Sequence, residues 1–289
     1  MNQLARMKTS SIMARIRFLS TMLRSLVDGV MTELRWYSRR KIDRRRRFEQ
    51  GVVVCLTSYP ARFKTLHLTV KTLLLQNVQP LAIVLWLADG DLVKLPANVL
   101  SLRAWGLEIR TCEDLRSYKK LIPAIDCYKD KVIVTADDDV VYWRAWLCDL
   151  LHHHVENTAE ILCHRMHEIT LNQQGLPRTY SNWRWCSENL TKHSLNFATG
   201  SGGILYPPGI FDIRVLDTAE MMTICPTGDD IWFYWMARMN GAKVRKVPSS
   251  GALRFWLGSQ ETALWKPNVE GSENDIQIRA MIEKFGFPN

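Results

Sequence analysis

An apolar run ends in three consecutive carboxylates in the segment KVIVTADDDVVY, residues 131–142. In an extended chain alternate side chains share one face, so Asp137 and Asp139 are expected to point together and Asp138 elsewhere. Such a D-x-D pair of hard oxygen ligands suits Mg²⁺ or Mn²⁺ ions that keep part of their water and bridge to phosphate oxygens. The alternative is a solvated acidic turn that caps a helix starting near Trp143, because Asp is a favoured N-cap residue.

A glycine-rich segment and a set of tryptophans are the next candidates for ligand contacts. The segment Gly200-Ser201-Gly202-Gly203 permits close approach of the backbone to a ligand, although the same residues suit a bend in a strand. Indole rings offer flat apolar faces with a polar edge, which suit sugar rings, although more of them are expected in the core. The tryptophans in question are Trp183, Trp185, Trp232 and Trp235.

The histidines and cysteines do not form a metal site of recognisable spacing. Residues 152–154 are all histidine, but on a helix three consecutive side chains point in different directions. Cys163 and His164, followed by His167, lack a second ligand pair at zinc spacing. The chain also lacks the glycine fingerprints of P-loop and dinucleotide-binding proteins, so those classes are poorly supported.

Four apolar runs must position the polar groups. The predicted strands are VVVCLTS (52–58), LAIVLWL (81–87), LEIRT (107–111) and KVIVTA (131–136), with helical segments such as residues 62–76 between them. This alternation predicts an α/β, Rossmann-like fold with a mostly parallel central sheet flanked by helices. Ligands bind at the carboxyl ends of the strands in such sheets, where residues 57–60, Asp89 and the Asp triplet all fall.

Residues 1–50 differ from the body of the chain in charge and in pattern. They hold 13 Lys and Arg against 4 Asp and Glu, so the whole formal net charge of +9 falls here and residues 51–289 are neutral. Apolar residues recur at spacings of four and three, which predicts a basic amphipathic helix as an N-terminal arm. The stripe consists of Ile12, Ile16, Leu19, Leu23, Leu26 and Val30, and the run Arg44–Arg47 follows it.

Three environments suit this arm. Anionic lipid headgroups are the preferred one, at roughly 1 kcal/mol per basic residue near a membrane surface. The stripe could instead pack on the body of the protein or pair with a second copy as a short coiled coil. Nucleic acid is not an expected partner, because the neutral body offers no extended basic footprint.

The composition indicates a globular protein in a reducing compartment. With 289 residues and 47% hydrophobic content the chain can bury a full core, as one domain plus the arm. Its seven cysteines are scattered and form no C-x-x-C pair, which does not suggest a disulfide framework. Arg15, Arg17 and Arg24 interrupt the N-terminal apolar residues, so neither a signal peptide nor a spanning helix is expected.

The body resembles glycosyltransferases of the GT-A fold, especially bacterial family-two-like enzymes of surface polysaccharide synthesis. The resemblance covers roughly residues 52–280 and rests on the order and spacing of short motifs. These motifs are TSYPARF (57–63), SYKKLIPA (117–124), TADDDVVY (135–142), GSGGILYPPG (200–209), CPTGDDIWF (225–233) and the late pair Asn274-Asp275. The resemblance implies transfer of a sugar from a nucleotide donor, with residues 51–142 as the nucleotide-sugar half and residues 143–289 as the acceptor half.

The resemblance also implies a role for each matching residue. The implied nucleotide-sugar contacts are Thr57, Tyr59, Arg62, Asp89, Lys119, Lys120, Asp137 and Asp138. Asp139, with Asp137, would hold Mn²⁺ or Mg²⁺, and the acceptor would contact Gly202, Gly203 and Trp232. A lysine pair is also commonly a solvated helix face, which is the alternative for Lys119 and Lys120.

Asp230 is implied to be the catalytic base of an inverting reaction, with Asp229 as the close alternative. A base there would take the proton of the acceptor hydroxyl as this hydroxyl attacks the anomeric carbon. Both carboxylates equally suit a helix N-terminus. Many GT-A enzymes complete the metal site with a late histidine, but no histidine follows His193 here. Asn274 or Asp275, or water alone, would have to replace it.

The sequence therefore predicts a metal-dependent glycosyltransferase that uses a nucleotide sugar, with UDP-sugars favoured, and a glycan or lipid-linked glycan acceptor. The basic arm would hold it at the inner, cytoplasmic face of the membrane. One alternative is a sugar-phosphate nucleotidyltransferase, although the loop TSYPARF is poor in the glycine expected there. The other is a non-catalytic adaptor for membrane or RNA that acts through the arm.

Overall fold

A seven-stranded sheet forms the centre of the chain in this computed structural model, which describes residues 2–39, 47–155, 159–259 and 272–288. The strands, in chain order, are β1 (Arg47–Thr57), β2 (Val78–Ala88), β3 (Leu107–Cys112), β4 (Val132–Ala136), β5 (Glu160–Cys163), β6 (Met166–Glu168), β7 (Asn196–Ala198), β8 (Ile204–Tyr206) and β9 (Lys243–Lys246). β6 and β7 form a separate antiparallel pair, and the other strands make up the central sheet.

The order across the central sheet is β3-β2-β1-β4-β8-β5-β9. β1 lies parallel to both β2 and β4, and β2 lies parallel to β3. β8 is antiparallel to β4 and to β5, while β9 pairs in parallel with β5. The predicted mostly parallel sheet is therefore confirmed. It brings the carboxyl ends of β1 and β4 side by side, with β8 as its antiparallel member.

Helices cover both faces of the sheet. In chain order they are α1 (Asn2–Ser38), α2 (Phe63–Leu74), α3 (Ala97–Leu100), α4 (Ile122–Cys127), α5 (Trp146–His153), α6 (Thr218–Ile224), α7 (Asp229–Met239) and α8 (Glu273–Phe285). α2, α3 and α5 pack in the core on one face, and α4, α6, α7 and α8 pack on the other. The predicted α/β architecture with flanking helices and an N-terminal helix is confirmed.

The alternation of side chains along β1 shows why both faces must be covered. Val52, Val54 and Leu56 contact the core that includes α2, whereas Val53 and Cys55 contact the core that includes α7. All five side chains are at most 5% exposed. Strands of a sheet that is covered on both faces read as continuous apolar runs, which is the pattern that made these strands predictable.

The predicted elements differ from the observed ones mainly at their ends. β1 begins at Arg47, before the predicted end of the arm at residue 50. An irregularity in register between Glu49 and Val53 lets residues 47–49 pair with the start of β2. Beyond residue 160 the strands have only three or four residues each. Runs this short give little periodic signal in the sequence.

The described part of helix α1 faces the body with its polar side. Ser25, Asp28, Thr32 and Arg39 are buried, and their spacing of three, four and seven residues places them on one face. The opposite face carries large apolar side chains with exposed fractions from 37% to 89%. This outward face consists of Leu19, Met22, Leu23, Leu26, Val27, Val30, Met31, Leu34 and Tyr37.

Specific polar contacts hold α1 in this orientation. The Glu33 carboxylate accepts two hydrogen bonds from Lys71 Nζ at 2.6 and 2.8 Å. The Asp28 carboxylate pairs with Arg254 at 2.6 Å. The guanidinium of Arg39 lies between the rings of Trp36 and Trp105, 3.1 and 3.4 Å from their centroids. For residues 19–37 this arrangement corrects the alternative in which the apolar stripe packs on the body.

The segment of residues 254–257 links α1 to the acidic triplet. On one side Leu257 N donates to Ser25 Oγ at 2.8 Å. On the other side Trp256 N donates to Asp139 O at 3.0 Å. Within the described ranges, no helix combines the length and the apolar composition needed to cross a bilayer.

Candidate functional site

A cavity of about 580 Å³ opens at the carboxyl ends of β1 and β4. Most of the residues selected from the sequence line it, although they come from distant parts of the chain. They are Thr57, Tyr59, Arg62, Lys119, Lys120, Asp137, Asp138, Asp139, Asp229 and Asp230. The fold therefore gathers four polar segments around one space: those after β1, β3 and β4, and the start of α7.

The acidic triplet lies beyond the end of β4, in a turn rather than in the strand. β4 ends at Ala136, so strand alternation does not govern the side chains that follow. Asp138 and Asp139 both bind the guanidinium of Arg62, at 2.6 and 3.1 Å. Asp137 binds Lys120 instead, at 3.1 Å. The expectation that Asp138 alone points away is therefore corrected: Asp138 and Asp139 share the guanidinium of Arg62, and Asp137 pairs with Lys120.

Arg62 and Ser58 bind the buried carboxylates of the triplet. Ser58 Oγ donates to Asp138 Oδ2 at 2.6 Å, in addition to the contact of that carboxylate with Arg62. Burial raises the pKa of Asp138, and Arg62 opposes this rise. Burial and the charge of Asp137 raise the pKa of Asp139 to about 7, again against the effect of Arg62. The protein's own cations thus offset only part of the repulsion between the carboxylates in this poorly solvated site.

Lys120 stands at the centre of the remaining carboxylates. Its ammonium lies 3.1 Å from Asp137 Oδ1 and 3.0 Å from Asp229 Oδ2. Burial alone would lower the pKa of Lys120, but the charges of Asp137, Asp229 and Asp230 raise it well above its usual value. Lys120 is therefore a permanent cation that joins the triplet to the acidic pair of α7. The alternative in which it belongs to a solvated helix face is corrected, since only 7% of it is exposed.

Asp230 is held by the backbone of the glycine-rich segment. Gly200 N donates to both carboxylate oxygens of Asp230, at 3.1 and 3.0 Å. A Cβ at Gly200 would stand 2.8 Å from Lys120 Nζ and 3.3 Å from Asp230 Oδ1, so any side chain there would displace the Lys120 ammonium from its place beside these carboxylates. Burial and the neighbouring charge of Asp229 raise the pKa of Asp230 above its usual range, and Lys120 opposes this rise. A buried carboxylate with a raised pKa suits a general base near neutral pH.

Lys119 faces the rim of the cavity. Its ammonium pairs with Asp114, a carboxylate that the sequence did not single out. The neighbouring Thr57 hydroxyl donates to Trp86 O at 2.8 Å, which fixes the end of β1. Tyr59 is 39% exposed and extends the wall outward. This rim is lined by hydroxyls and cations, which suits a phosphorylated ligand.

Asp89 and Trp232 lie outside the cavity lining. Asp89 follows β2 as predicted, but it is exposed and does not line the cavity. Trp232 is fully buried in α7, and its indole N–H donates to Val215 O at 3.2 Å. Burial leaves Trp232 no free face for a sugar ring, which corrects its expected acceptor role.

Gly202 and Gly203 also lie outside the lining, and packing accounts for them. Their φ angles are +102° and +95°, in the region that favours glycine. A Cβ at Gly203 would lie 2.5 Å from the Trp146 ring, and Gly202 O accepts a hydrogen bond from the same indole at 2.6 Å. The expected acceptor contact is therefore corrected, because these glycines serve the approach of Trp146.

The sequence reasoning missed several residues of the cavity wall. They include Ser58, Asp114, Arg165, His167 and Tyr180. Ser58 was detectable as part of the loop after β1. Arg165, His167 and Trp185 lie in the irregular region after β5, where no periodic pattern indicates which face a side chain takes. Among the four tryptophans considered, Trp185 is the one that lines the cavity.

The late pair Asn274-Asp275 divides between two positions at the start of α8. Asn274 is 7% exposed and lines the cavity. Asp275 Oδ1 instead accepts a hydrogen bond from Tyr180 N at 2.6 Å. Asn274 is thus the member of the pair that is placed to contact a ligand.

The oxygen donors of the triplet suit a metal ion that brings its other ligands with it. Within the described ranges, no three His, Cys, Asp or Glu side chains converge as a ready-made metal site. Mg²⁺ and Mn²⁺ need only one or two carboxylates when phosphate oxygens and waters complete the coordination. Asp137 and Asp139 line the same cavity and could supply them. The donor set therefore fits an ion that arrives with a phosphorylated ligand.

Comparison with known proteins does not assign a family to the chain. No protein-family model matches the sequence, and no curated protein matches it significantly. The similar solved structures include the inositol-1-phosphate CTP transferase from T. maritima, with a TM-score of 0.43 and 8% identity over 80% of this chain and 96% of that one.

Two further solved structures show similarity of the same order. 4-Diphosphocytidyl-2C-methyl-D-erythritol synthase has a TM-score of 0.45 and 8% identity, covering 74% of this chain and 95% of that one. The 1-349 portion of S. aureus TarS has a TM-score of 0.44 and 16% identity, covering 72% of this chain and 59% of that one. Similarities at this level do not indicate an activity.

Proposed function

We propose that this protein is a glycosyltransferase that moves a sugar from a nucleotide donor, with UDP-sugars favoured, to a hydroxyl of a glycan or lipid-linked glycan. The observation that carries the proposal is the meeting of two groups in one cavity. The acidic triplet with its cations suits a diphosphate, and Asp230, a buried carboxylate of raised pKa, lies across Lys120 from it. The sequence resemblance to GT-A enzymes agrees with this arrangement.

The donor would bind between the loop after β1 and the triplet. Asp137 and Asp139 would hold Mn²⁺ or Mg²⁺, which would neutralise charge on the diphosphate when bound. Arg62 lines the same cavity and its side chain is 17% exposed, so a guanidinium N–H could also donate to a phosphate oxygen. Lys119 at the rim adds a further point charge for the nucleotide.

Asp230 would act as the general base. The acceptor oxygen forms a bond to the anomeric carbon while its proton passes to the Asp230 carboxylate. The bond from the anomeric carbon to the diphosphate oxygen breaks, and the nucleoside diphosphate leaves with that electron pair. Attack on the side opposite the leaving group inverts the anomeric configuration. Gly200 N, which donates to both oxygens of Asp230, orients the carboxylate for this step.

Ligand-induced stabilisation tests the donor class. We expect one nucleotide sugar of a panel, with Mn²⁺ or Mg²⁺ present, to raise the melting temperature, since a ligand at about 100 times its Kd stabilises by roughly 2.7 kcal/mol. The Asp139→Ala variant should lose the metal-dependent part of the shift. Asp130→Ala, which removes an exposed carboxylate outside the cavity lining, is the matched control.

A pyrophosphate-release assay, run beside the melting measurements, separates the alternatives. Release of pyrophosphate from a nucleoside triphosphate and a sugar phosphate would point to a nucleotidyltransferase instead. A folded protein that responds to no nucleotide would favour a non-catalytic adaptor. An undiminished metal-dependent rise in melting temperature in Asp139→Ala would show that Asp139 does not bind the metal.

The proposal places the protein at the inner, cytoplasmic face of a membrane, held there by α1. The outward apolar face runs along residues 19–37, about 27 Å of helix. Arg24 and Arg35 are exposed beside this face, and the 50 N-terminal residues carry the whole net charge of +9. A helix with a broad apolar face and basic flanks suits the interface of an anionic bilayer. A coiled-coil dimer would cover a narrower seam and bring two strongly basic arms together.

Sedimentation with vesicles tests the membrane contact. We expect the chain to bind vesicles that contain phosphatidylglycerol more tightly than vesicles of phosphatidylcholine. The double variant Leu23→Glu, Leu26→Glu should weaken this binding by at least about tenfold, because it puts two charges into the apolar face. Val93→Glu, at a residue that is 88% exposed on the body, is the control. Concentration-dependent dimerisation without vesicle binding would contradict the membrane proposal and favour pairing of two α1 helices.

A further inference from the structure

One wall of the cavity differs from the donor side in its chemistry. It is built from β6, β7 and the loop between them, and it carries aromatic rings and a single arginine. The residues are Arg165, His167, Tyr180, Trp185, Phe197 and Thr199. Gly200, which holds Asp230, follows Thr199 directly, so this wall adjoins the proposed base.

Trp185 presents an open ring to the cavity. Its side chain is 42% exposed, whereas Trp183 is 4% exposed and lies in the core. One side of the indole is covered by His167, whose ring is stacked at 4.9 Å with an interplanar angle of 28°. The indole N–H donates to Tyr180 O at 3.2 Å, which fixes its direction. Trp185 is therefore a rigid, half-open aromatic platform.

The turn that carries Trp185 is held in an uncommon conformation. Cys186 has a φ of +50°, in the left-handed region that residues other than glycine seldom occupy. Cys186 N donates to His167 Nδ1 at 3.0 Å, and Arg165 Nε donates to Cys186 Sγ at 3.4 Å. These bonds compensate for the strain of this conformation, and they fix the platform beside the cavity.

Arg165 is a cation of the lining that has no acidic partner among the described residues. It donates to Cys186 Sγ and to Thr199 Oγ1, the latter at 3.1 Å. By contrast, Arg62, Lys119 and Lys120 each pair with a carboxylate. A guanidinium whose partners in the cavity are all neutral can still bind an anion.

We propose that Trp185 and Arg165 form the acceptor subsite, and that it takes a pyranose carrying an anionic group, a carboxylate or a phosphate. The sugar ring stacks on the open face of Trp185, its anionic substituent binds Arg165, and one of its hydroxyls reaches Asp230. This inference rests on the proposed function for the role of the bound sugar. The binding of an anionic sugar beside Trp185 does not depend on that role.

Ligand-observed NMR titration in the presence of saturating UDP tests the subsite. The probes are methyl glucuronide, glucose 6-phosphate and the uncharged methyl glucoside, each with the full-length chain. We expect at least one anionic probe to bind about tenfold or more tighter than methyl glucoside, because a hydrogen bond to a charged group contributes about 1.5–3 kcal/mol. The comparison of the two anionic probes distinguishes a carboxylate from a phosphate.

Three variants assign the contacts. Arg165→Gln should abolish the preference for the anionic probe and leave the affinity for methyl glucoside unchanged. Trp185→Ala should lower the affinity for all three sugars. Arg184→Gln is the matched control, since Arg184 is exposed nearby and pairs with Glu168. The affinity for UDP, measured separately, should be the same in every variant.

Two results would overturn the inference. Equal affinity of the wild-type chain for charged and uncharged sugars would show that the subsite does not recognise an anionic substituent. An equal loss of UDP and sugar affinity in Arg165→Gln would assign Arg165 to the donor instead. Failure of the proposed function looks different: UDP and other nucleotides would not bind, while discrimination between the sugars would persist.

Discussion

Replacing Asp230 by asparagine should lower the rate of sugar transfer by roughly 10²–10⁴-fold, the usual contribution of a positioned general base. Asparagine keeps an oxygen that can accept the hydrogen bond from Gly200 N, so the local backbone should remain in place. The affinity for the nucleotide donor should change by less than about twofold, because Asp230 lies beyond Lys120 from the triplet. Initial rates and donor titration of the purified variant measure both quantities.

The pH dependence of the wild-type rate gives an independent check of Asp230. Burial and Asp229 raise the pKa of Asp230, and a base must be deprotonated to act. The rate should therefore fall on the acid side at a pH above the usual carboxyl range near 4. Asp229→Asn removes the repulsion, so it should move this acid limb to lower pH. An Asp230→Asn rate within about twofold of the wild type would assign the base to Asp229 or to another group.

Replacing Lys120 by glutamine should destabilise the fold by about 3–5 kcal/mol, the range seen when one partner of a buried ion pair is removed. The ammonium is the counter-charge of Asp137 and Asp229, and it also offsets Asp230. Without it, several buried carboxylates remain uncompensated. Urea unfolding at pH 8 measures the change in the free energy of unfolding.

The neighbouring lysine is the matched control for this variant. Lys119 is itself buried, but its partner Asp114 is 67% exposed and stays hydrated when the lysine is removed, so Lys119→Gln should cost less than Lys120→Gln. In Lys120→Gln, Asp230 loses the cation that opposes the rise of its pKa, so this pKa should move further above its usual value. The folded state then binds more protons than the unfolded state, so the deficit should shrink as the pH falls from 8 towards 5. A Lys120→Gln variant as stable as Lys119→Gln would show that water reaches these carboxylates.

The first half of the fold was predictable because each strand is buried on both faces. The apolar runs that became β1, β2, β3 and β4 stand out from the helical segments between them, and a parallel sheet follows from their alternation. The ends of strands β1 and β4 also follow from this pattern. The sequence therefore located Arg62 and the acidic triplet at one edge of the sheet without any side-chain information.

The pairing of charges within the cavity was not predictable from local pattern. Lys120 and Asp229 are 109 positions apart, and their contact depends on how α7 packs against the sheet. β4 ends at Ala136, one residue before the triplet. Strand alternation therefore does not set the directions of the three carboxylates, and their partners differ from those expected. Trp185 and Trp232 have the same side chain, and only tertiary packing decides that one ring is open and the other buried.

The face of α1 that packs on the body was not predictable for a different reason. The hydrophobic stripe was visible in the sequence, but a stripe normally marks the side of a helix that packs on the core. Here the contacts of Asp28 with Arg254 and of Glu33 with Lys71 reverse that orientation. Isolated polar residues such as Ser25, Asp28 and Thr32 give no signal that they form a docking face.

The polar contacts of α1 also bear on how the protein unfolds. If α1 detached, Lys71 and Arg254 would lose their carboxylate partners, and Trp105 would lose the stacked guanidinium of Arg39. Residues 254–257 would lose support on one side while still bonded to Asp139 on the other. The helix and the sheet domain are therefore coupled parts of one cooperative unit. Removing the helix should lower the melting temperature of the sheet domain, including the segments that form the cavity.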